Sequence, residues 1–375
     1  MLMQRFIILT KKQYEMQIGI PKEIKDKENR VALTPDGTKQ LTSKGHSVLI
    51  EASAGIGSGF GDDDYKKSGA KIVSKEKAWN SELIIKIKEP LEEEYRFLKE
   101  NKILFTYLHL AGVAKTLTEA LLKSKTIGIA YETVEDVYKR LPLLAPMSAV
   151  AGNMAVQIGS YYLAKFNNGK GVLMGEILGH FYGKVLIIGD GVVGRHAAKT
   201  AYGIGANVFL FGRHEERMDL LKDAIESISE HIKDADLVVG AVLITGAKAP
   251  CVVTEEMVKT MQHGSVIVDV SIDQGGCIET SKPTSHSNPI FVKHNVIHYC
   301  VTNMPGAYPR TSTIALTNAT LPYVLKLANE GFMDAIKSDS RFAKGVNTYK
   351  GFLTYKPVAD ALSMNERYKD FSQLI

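Results

Sequence analysis

The sequence predicts an α/β protein with two doubly wound, mostly parallel sheets. Short apolar runs alternate with helical patterns from Met16 to about Pro142, and the same alternation begins again at Lys184. Such alternation is typical of strand–helix–strand units, whose strands pair in parallel. Between the two stretches, residues 147–166 form one long helical pattern with few helix breakers. The chain contains no internal repeat and no low-complexity segment, which excludes solenoids and long disordered linkers.

The composition is that of an ordinary globular protein. Its 375 residues are 45% hydrophobic and 23% charged, which is enough apolar material for two cores. The net charge of +5 is spread along the chain, so no basic stripe predicts nucleic-acid binding. Three scattered cysteines without a C-x-x-C pair argue against disulfides and zinc, and favour the reducing cytoplasm. No apolar run approaches the roughly 20 residues that span a bilayer, so we expect no membrane segment.

The first half of the chain begins with a predicted extension, residues 1–15, because Met16 immediately precedes a strand-like run. The apolar and β-branched runs that follow predict strands at 17–20, 47–51, 83–87, 103–108 and 126–130. The segments between them predict helices at 34–44, 62–68 and 74–80.

The second half repeats the alternation. Its apolar runs predict strands at 185–188, 207–211, 237–242, 265–270 and 296–301. Its helical patterns predict helices at 192–203, around 215–232, and at 254–262 and 317–329. We expect the remaining C-terminal tail to be mostly irregular.

A glycine pattern follows the strand at 185–188. Gly189-Asp190-Gly191-Val192-Val193-Gly194 matches G-x-G-x-x-G between a strand and a helix, the context that makes this pattern specific. The first glycine permits a tight turn, the second lets a pyrophosphate approach the backbone, and the third lets helix and strand pack closely. Unpaired N–H groups at the helix N-terminus then bind the anion. The sequence therefore predicts a Rossmann unit that binds a dinucleotide for hydride transfer.

Three cations lie where predicted strands end. Arg30 follows the first strand through a polar turn, where it can clamp a carboxylate bidentately or simply lie in solvent. Lys86 and Lys88 share one face of the strand at 83–87. The carboxyl end of such a strand borders the ligand crevice of an open α/β sheet, but lysines also protect edge strands from aggregation. Spacing alone favours the edge-strand interpretation.

Further polar residues also follow predicted strands. His109 can shuttle protons near neutral pH, although a lone histidine is more often structural. Asp273 follows the strand at 265–270, a position from which a carboxylate can accept a proton or orient water. Asn303 follows the last strand at the same predicted edge. Asp269, inside its strand, is expected to pair or cap structurally.

Several sequence segments, taken together and in their order along the chain, are specific for one family, although no candidate residue is specific by itself. They are Ile18-Gly19-Ile20-Pro21-Lys22-Glu23, Asn29-Arg30-Val31-Ala32-Leu33-Thr34-Pro35, Lys86-Ile87-Lys88-Glu89-Pro90, Phe105-Thr106-Tyr107-Leu108-His109, Pro146-Met147-Ser148, Gly246-Ala247-Lys248-Ala249-Pro250, Asp273-Gln274-Gly275-Gly276-Cys277, Asn303-Met304-Pro305-Gly306 and Asn347-Thr348-Tyr349-Lys350-Gly351. In this order, over about residues 16–363, they resemble the alanine dehydrogenase family.

The resemblance implies two Rossmann-like domains, with a substrate domain that is discontinuous in sequence. Residues 16–142 and 321–375 would form the substrate domain, and residues 143–320 would form the dinucleotide-binding domain. The implied activity is the reversible NAD-dependent oxidative deamination of L-alanine to pyruvate and ammonium, with no metal. The family also implies a cytoplasmic homo-oligomer, a hexamer, for which exposed apolar residues on 147–166 would fit an interface.

Matching motifs imply roles for individual residues. Arg30 and Lys88 would hold the carboxylate and carbonyl of the substrate. His109 would be the general acid/base, and Asp273 would assist proton and water transfer. The residues implied to line the cofactor are Ser148, Gly189, Gly191, Val192, Val193, Gly194, Val242, Leu243, Val270, Ser271, Ile272, Lys282, Val301, Thr302, Asn303 and Met304.

The chain departs from the family at the end of the strand at 207–211. Gly212 stands where the family usually has an acidic residue that binds the ribose hydroxyls. Arg213, with Arg217, could instead accommodate a 2′-phosphate, so NADP-leaning specificity and a tolerant NAD specificity are two evenly weighted hypotheses. A catalytically weak nucleotide-binding relative is a further alternative. A transhydrogenase component is disfavoured because Lys88 and His109 persist.

Overall fold

The computed structural model describes residues 14–212, 227–243 and 249–375. These residues fold around two large, mostly parallel sheets, which confirms the predicted fold class. Residues 227–231 are helical, whereas residues 215–226 of the helix predicted around 215–232 lie outside the described residues. Residues 1–13 of the predicted extension also lie outside them. Within the described ranges, no helix has both the length and the apolar character to cross a bilayer.

The strands of the described residues are short and follow the predicted order. In chain order they are β1 (Gln17–Ile20), β2 (Ser47–Glu51), β3 (Lys71–Val73), β4 (Leu83–Ile85), β5 (Ile103–Thr106), β6 (Ile127–Ala130), β7 (Gly175–Ile177), β8 (His180–Tyr182), β9 (Lys184–Ile188), β10 (Asn207–Phe211), β11 (Leu237–Gly240), β12 (Val266–Asp269), β13 (Ile290–Lys293), β14 (Val296–Tyr299), β15 (Val346–Tyr349) and β16 (Phe352–Leu353).

The helices differ widely in length. In chain order they are α1 (Pro35–Thr42), α2 (Asp62–Lys67), α3 (Lys75–Trp79), α4 (Lys115–Ser124), α5 (Ala145–Leu163), α6 (Val192–Gly203), α7 (Glu255–Lys259), α8 (Pro309–Glu330), α9 (Phe332–Lys337), α10 (Ser340–Ala343) and α11 (Lys356–Ala361). Polar side chains cap several of them; the Thr34 hydroxyl, for example, accepts a hydrogen bond from the Gly37 N–H at the start of α1.

The first sheet has eight strands in the order β16-β15-β6-β5-β4-β1-β2-β3. The strands from β6 to β3 are parallel, and β15 and β16 run antiparallel at the other edge. The central strands are apolar on both faces, with Leu83 and Ile85 in one core cluster and Ile84 in another. A parallel sheet needs this pattern because helices cover both of its faces.

The second sheet has six strands in the order β10-β9-β11-β12-β14-β13. All neighbours are parallel except β13, which runs antiparallel to β14. In β9, Val185 and Ile187 join one core cluster and Leu186 joins the cluster on the opposite face. The strand order reverses beside β9, and ligands of open α/β sheets bind at such a switch point.

Two long helices connect the sheets. α5 has Met147 in the core of the first sheet, and from Ala151 onward its buried residues belong to the core of the second. α8 begins after the last strand of the second sheet, and its Leu316 and Val324 pack into the core of the first. The predicted domain limits at 142/143 and 320/321 stay a prediction, and α8 runs unbroken across the second of them.

The C-terminal tail is not mostly irregular, so that expectation was wrong. Its residues form β15, β16 and three short helices, and Val346 and Thr348 pair with β6. The pairing buries all four residues of β15, yet it joins segments that are more than 200 residues apart, so no local pattern signals it. The hairpin β7–β8 and helix α4 were also not predicted.

Lys86 lies inside the protein, so the edge-strand interpretation was wrong for it. It follows β4, an interior strand, and its ammonium pairs with Glu23 Oε2 at 3.0 Å and Glu94 Oε1 at 3.1 Å. All three side chains are almost fully buried. Burial raises the pKa of Glu23, and the Lys86 charge opposes that rise. Burial lowers the pKa of Lys86, but the two carboxylates outweigh it and raise that pKa overall.

Replacing Lys86 should therefore destabilise the first sheet. We expect Lys86→Ala to lower the free energy of unfolding by about 3–5 kcal/mol, because it leaves two buried carboxylates without their cation. Thermal denaturation followed by circular dichroism measures the change. Lys71→Ala removes an exposed lysine from the edge strand β3 and is the matched control. Equal melting temperatures for the two variants would contradict the buried network.

Candidate active site

A cleft lies between the carboxyl edges of the two sheets. It encloses about 1050 Å³ of empty space, part of it open to solvent. Residues that follow β1, β4, β5 and β6 line one side, and residues that follow β11, β12 and β14 line the other. The structure thus brings the predicted substrate residues Arg30, Lys88, His109 and Asp273 to one place, where ligands of open α/β sheets bind.

Arg30 is a buried residue of the cleft wall, with 2% of its surface exposed. Its Nε and Nη2 donate to the two carboxylate oxygens of Glu28 at 2.7 and 2.5 Å, and Nη2 also donates to Asn303 Oδ1 at 2.5 Å. Glu28 therefore occupies the two nitrogens, Nε and Nη2, with which this arginine could bind a ligand carboxylate bidentately. Nη1, which contacts Met147 Sδ at 3.2 Å, is the nitrogen left to bind a ligand. Burial raises the pKa of Glu28, but the Arg30 charge and these hydrogen bonds outweigh it and lower the pKa to about 2.

Lys88 follows β4 and points into the same cleft. A buried carboxylate fixes its backbone, because Glu23 Oε1 accepts the N–H of Ile87 at 2.6 Å and that of Lys88 at 3.4 Å. The Lys88 ammonium lies 3.8 Å from Glu89 Oε2, which is too long for a hydrogen bond. Its donors can therefore reach a ligand oxygen. Burial raises the pKa of Glu89, but Lys88 and Lys25 outweigh it and lower that pKa overall.

His109 is held in a left-handed backbone conformation, with φ of 46°. Glu132 stabilises it, because Oε1 accepts the His109 N–H at 2.6 Å and Oε2 accepts the Leu108 N–H at 3.3 Å. The imidazole stacks on the Tyr107 ring with centroids 5.4 Å apart, and the Tyr107 hydroxyl donates to the Leu143 carbonyl. Strained backbone of this kind clusters at functional sites. The arrangement fixes where the imidazole faces the cleft.

Two carboxylates after and within β12 have different environments, as predicted. Asp269 is fully buried and accepts the N–H groups of Ser271 and Cys277 at 3.0 and 3.1 Å, so it holds the turn at the strand end. Asp273 is exposed to the cleft, and its Oδ2 accepts the Asn303 N–H at 3.4 Å. Asp273 can therefore exchange protons with a ligand or water, whereas Asp269 cannot.

The glycine turn borders the cleft through Val193. Gly189 has φ of 115°, and a Cβ there would lie 2.3 Å from the Ala241 carbonyl oxygen. A Cβ on Gly194 would lie 1.7 Å from the Gly189 carbonyl oxygen. A Cβ on Gly191 would meet nothing within 4 Å, and its φ of −67° suits any residue. Packing therefore requires two of the glycines, and room for a ligand explains the third. The turn fits the pyrophosphate of a dinucleotide at the N-terminus of α6.

The residues implied to line the cofactor divide into three groups. Eight of them line the cleft: Ser148, Val193, Val242, Leu243, Val270, Ser271, Asn303 and Met304. Others are absent from its described walls: the three turn glycines Gly189, Gly191 and Gly194, then Val192, Ile272, Thr302, Val301, which is buried in the core, and Lys282, whose Nζ lies 4.4 Å from the Phe291 ring. Arg213 and Arg217 lie outside the described residues.

The sequence analysis did not identify the residues that hold Arg30 and His109 in place. Glu28, Glu132 and Tyr107 bind the backbone or side chains of Arg30 and His109. Position carried a usable signal for two of them, because Glu28 lies two residues from Arg30 and Glu132 follows β6 at the same sheet edge. Their roles depend on side-chain contacts that a linear pattern does not contain.

Comparisons with known proteins cover nearly the whole chain. Residues 19–151 match the family model "Alanine dehydrogenase/PNT, N-terminal domain", and residues 155–356 match "Alanine dehydrogenase/PNT, C-terminal domain". An alanine dehydrogenase from Staphylococcus haemolyticus is 54% identical over 93% of this chain and 97% of its own length. The chain belongs to the alanine dehydrogenase/PNT family. This membership makes it an oxidoreductase with a nucleotide-binding Rossmann unit.

Solved structures agree with the family assignment. The structure of an L-alanine dehydrogenase superposes with a TM-score of 0.86, at 47% identity, over 93% of this chain and 99% of that one. A transhydrogenase from Sinorhizobium meliloti superposes with a TM-score of 0.78 over 90% of this chain and 99% of that one. At 23% identity, the second likeness shows the fold alone.

Gly191, the N-cap of α6, and Gly194, in its first turn, should respond differently to substitution. We expect Gly191→Val to weaken NADH binding by more than about tenfold with an unchanged melting temperature, because the side chain fills only the pyrophosphate space. Gly194→Ala should instead lower the melting temperature, because its Cβ overlaps the Gly189 carbonyl. Fluorescence titration and differential scanning calorimetry measure the two effects. Tight NADH binding by Gly191→Val would exclude the proposed pyrophosphate position.

Proposed function

We propose that this protein is an alanine dehydrogenase, which converts L-alanine, water and oxidised nicotinamide cofactor into pyruvate, ammonium, reduced cofactor and a proton, reversibly. The observation that carries the proposal is the convergence of Arg30, Lys88, His109 and Asp273 on one cleft that also meets the glycine turn. An amino-acid dehydrogenase needs cations for a carboxylate, a proton-transfer group, and a dinucleotide beside them. When bound, the nicotinamide accepts hydride from the substrate Cα.

The cations would bind and orient the substrate. The Arg30 Nη1 group and the Lys88 ammonium face the cleft, and both are positioned by carboxylates behind them. Lys88 would donate to the carbonyl oxygen of pyruvate, and Arg30 would bind the carboxylate through one nitrogen. Binding an anion in this mostly buried site strengthens both contacts, because the local dielectric is low.

His109 and Asp273 would move protons. Deamination passes through an imine and a carbinolamine, so protons must leave nitrogen and water must be deprotonated. His109, fixed by Glu132 and Tyr107, would serve as general acid and base. Asp273 would orient the attacking water from the opposite wall of the cleft.

The complete set of substrate residues favours an enzyme over a catalytically weak binding relative.

We also propose a cytoplasmic location, which is supported by three free cysteines, of which Cys277 and Cys300 are buried. For the cofactor, NAD and NADP stay separate hypotheses, because Arg213 and Arg217 are outside the described residues. The Asp190 carboxyl group, which packs against Gly212, favours NAD.

Pyruvate and ammonium should support NADH oxidation, followed at 340 nm. In His109→Asn, kcat should fall by about 10²–10⁴-fold, the usual contribution of general acid–base catalysis. Lys88→Met should raise KM for pyruvate as well as lower kcat, because the ammonium binds the substrate. His263→Asn changes an exposed histidine outside the cleft and should leave both constants unchanged. A wild-type protein that oxidises neither NADH nor NADPH would refute the proposed function.

We propose that the chain forms a hexamer, as its family implies. The hairpin β7–β8 exposes Leu178, Phe181 and Tyr182, and Leu178 is 93% exposed. Close to this hairpin in sequence, Tyr161 in the last turn of α5 and Phe166 just after α5 are also exposed, whereas eight other residues of α5 are buried within the chain. Large exposed apolar side chains concentrated in one region are typical of association surfaces.

Size-exclusion chromatography with light scattering should give the mass of six chains. Replacing Leu178 and Phe181 by Asp should produce a smaller assembly, because charge at an apolar interface is not compensated. Val292→Asp, at an exposed position of edge strand β13, is the control and should leave the mass unchanged. A monomeric wild-type protein would contradict the hexamer.

A further inference from the structure

The end of β10 lacks the acidic side chain that binds ribose hydroxyls in NAD-binding Rossmann units. Gly212 occupies that position, and it is packed against the side chain of Asp190. A Cβ built on Gly212 would lie 2.3 Å from Asp190 Cγ and 2.6 Å from its Oδ2. The Asp190 carboxyl group therefore fills the space that a side chain at position 212 would need.

The short distance follows from the pairing of two parallel strands. Phe211, the last residue of β10, pairs with Ile188, the last residue of β9, and its carbonyl accepts the Gly189 N–H at 2.7 Å. The next residues, Asp190 and Gly212, consequently leave the sheet side by side. The φ of Gly212 is not in the left-handed region, so its backbone does not require glycine. Glycine fits there because the Asp190 carboxyl group occupies the space of a side chain.

No hydrogen bond or ion pair within the described residues gives the side chain of Asp190 a structural role. The N-cap of α6 is Gly191, without a side-chain cap, and the Arg195 guanidinium bonds the Asp190 carbonyl rather than its carboxylate. Among the described residues, no donor is recorded for the Asp190 carboxylate, and the residue is only partly buried. With respect to residues 14–212, 227–243 and 249–375, its acceptor atoms are thus available beside the second glycine of the turn.

We propose that Asp190 replaces the missing acid of β10 and selects NAD over NADP. This inference rests on the proposed function, because it assigns specificity within the same cofactor site. The carboxylate would accept hydrogen bonds from the adenosine ribose hydroxyls and would repel a 2′-phosphate. Gly212 contributes by leaving room for it. In NAD-binding Rossmann units the acidic residue usually follows the second strand. In this chain the acidic residue, Asp190, lies in the glycine turn, and the small residue, Gly212, follows the strand.

Binding measurements with cofactor fragments test this assignment without turnover. Isothermal titration calorimetry compares ADP-ribose with 2′-phospho-ADP-ribose, and the ratio of the two Kd values reports specificity. In Asp190→Asn, that ratio should shift toward the phosphorylated ligand by about tenfold or more, the size expected when a like-charge repulsion is removed. Glu256→Gln, which neutralises an exposed acid of α7 in the same half of the chain, should leave the ratio unchanged.

A double variant guards against a merely structural effect. Asp190→Gly with Gly212→Asp returns the carboxylate to the strand and should restore the wild-type preference for ADP-ribose, whereas Asp190→Gly alone should lose it. An Asp190→Asn ratio within about twofold of the wild-type ratio would overturn the assignment, as would wild-type preference for the phosphorylated ligand. Failure of the proposed function would instead appear as absent pyruvate-dependent NADH oxidation while ADP-ribose still binds.

Discussion

The buried ion pair between Arg30 and Glu28, joined to Asn303, is the constraint on which the cleft depends. Arg30 follows β1 of the first sheet and Asn303 follows β14 of the second, so one guanidinium connects both walls. Each ion costs several kcal/mol to bury, and the cost is offset only when the geometry is complete. Here Asn303 Nδ2 also donates to Glu28 Oε2 at 2.8 Å, which closes the network. Because Glu28 has a pKa of about 2, the pair stays charged at any physiological pH.

The other polar residues of the first sheet extend the same principle to the backbone. Glu23 accepts the N–H groups of Ile87 and Lys88, and Glu132 accepts the N–H of His109, so a carboxylate fixes the segment that carries each of these reactive side chains. The cost of the positive φ at His109 is balanced by that contact. The consequence is a site whose cations and imidazole are positioned before substrate arrives. Electrostatic preorganisation of this kind reduces the reorganisation that the reaction would otherwise require.

Much of the fold could be predicted from sequence because local patterns determine it. β1, β2 and β10 have the predicted bounds, since each is a short apolar run between turn residues. β15 could not be predicted, because its burial comes from pairing with a strand more than 200 residues away. In the site, position at a strand end identified Lys88 and His109 as candidates. The same logic could not show that Glu28 occupies the bidentate face of Arg30, because that depends on side-chain geometry.

The glycine turn and Gly212 cannot both be explained by considering each residue separately. Gly189 and Gly194 are explained by contacts with protein backbone, and Gly191 by the space it leaves. Gly212 has no explanation within its own strand, and the sequence therefore left NADP-leaning and tolerant NAD specificity as evenly weighted hypotheses. The strand pairing changes that conclusion, because it places Gly212 against a residue of the glycine turn itself. The x positions of a glycine motif and the end of the adjacent strand form one surface. A substitution in either is interpretable only when both are considered together.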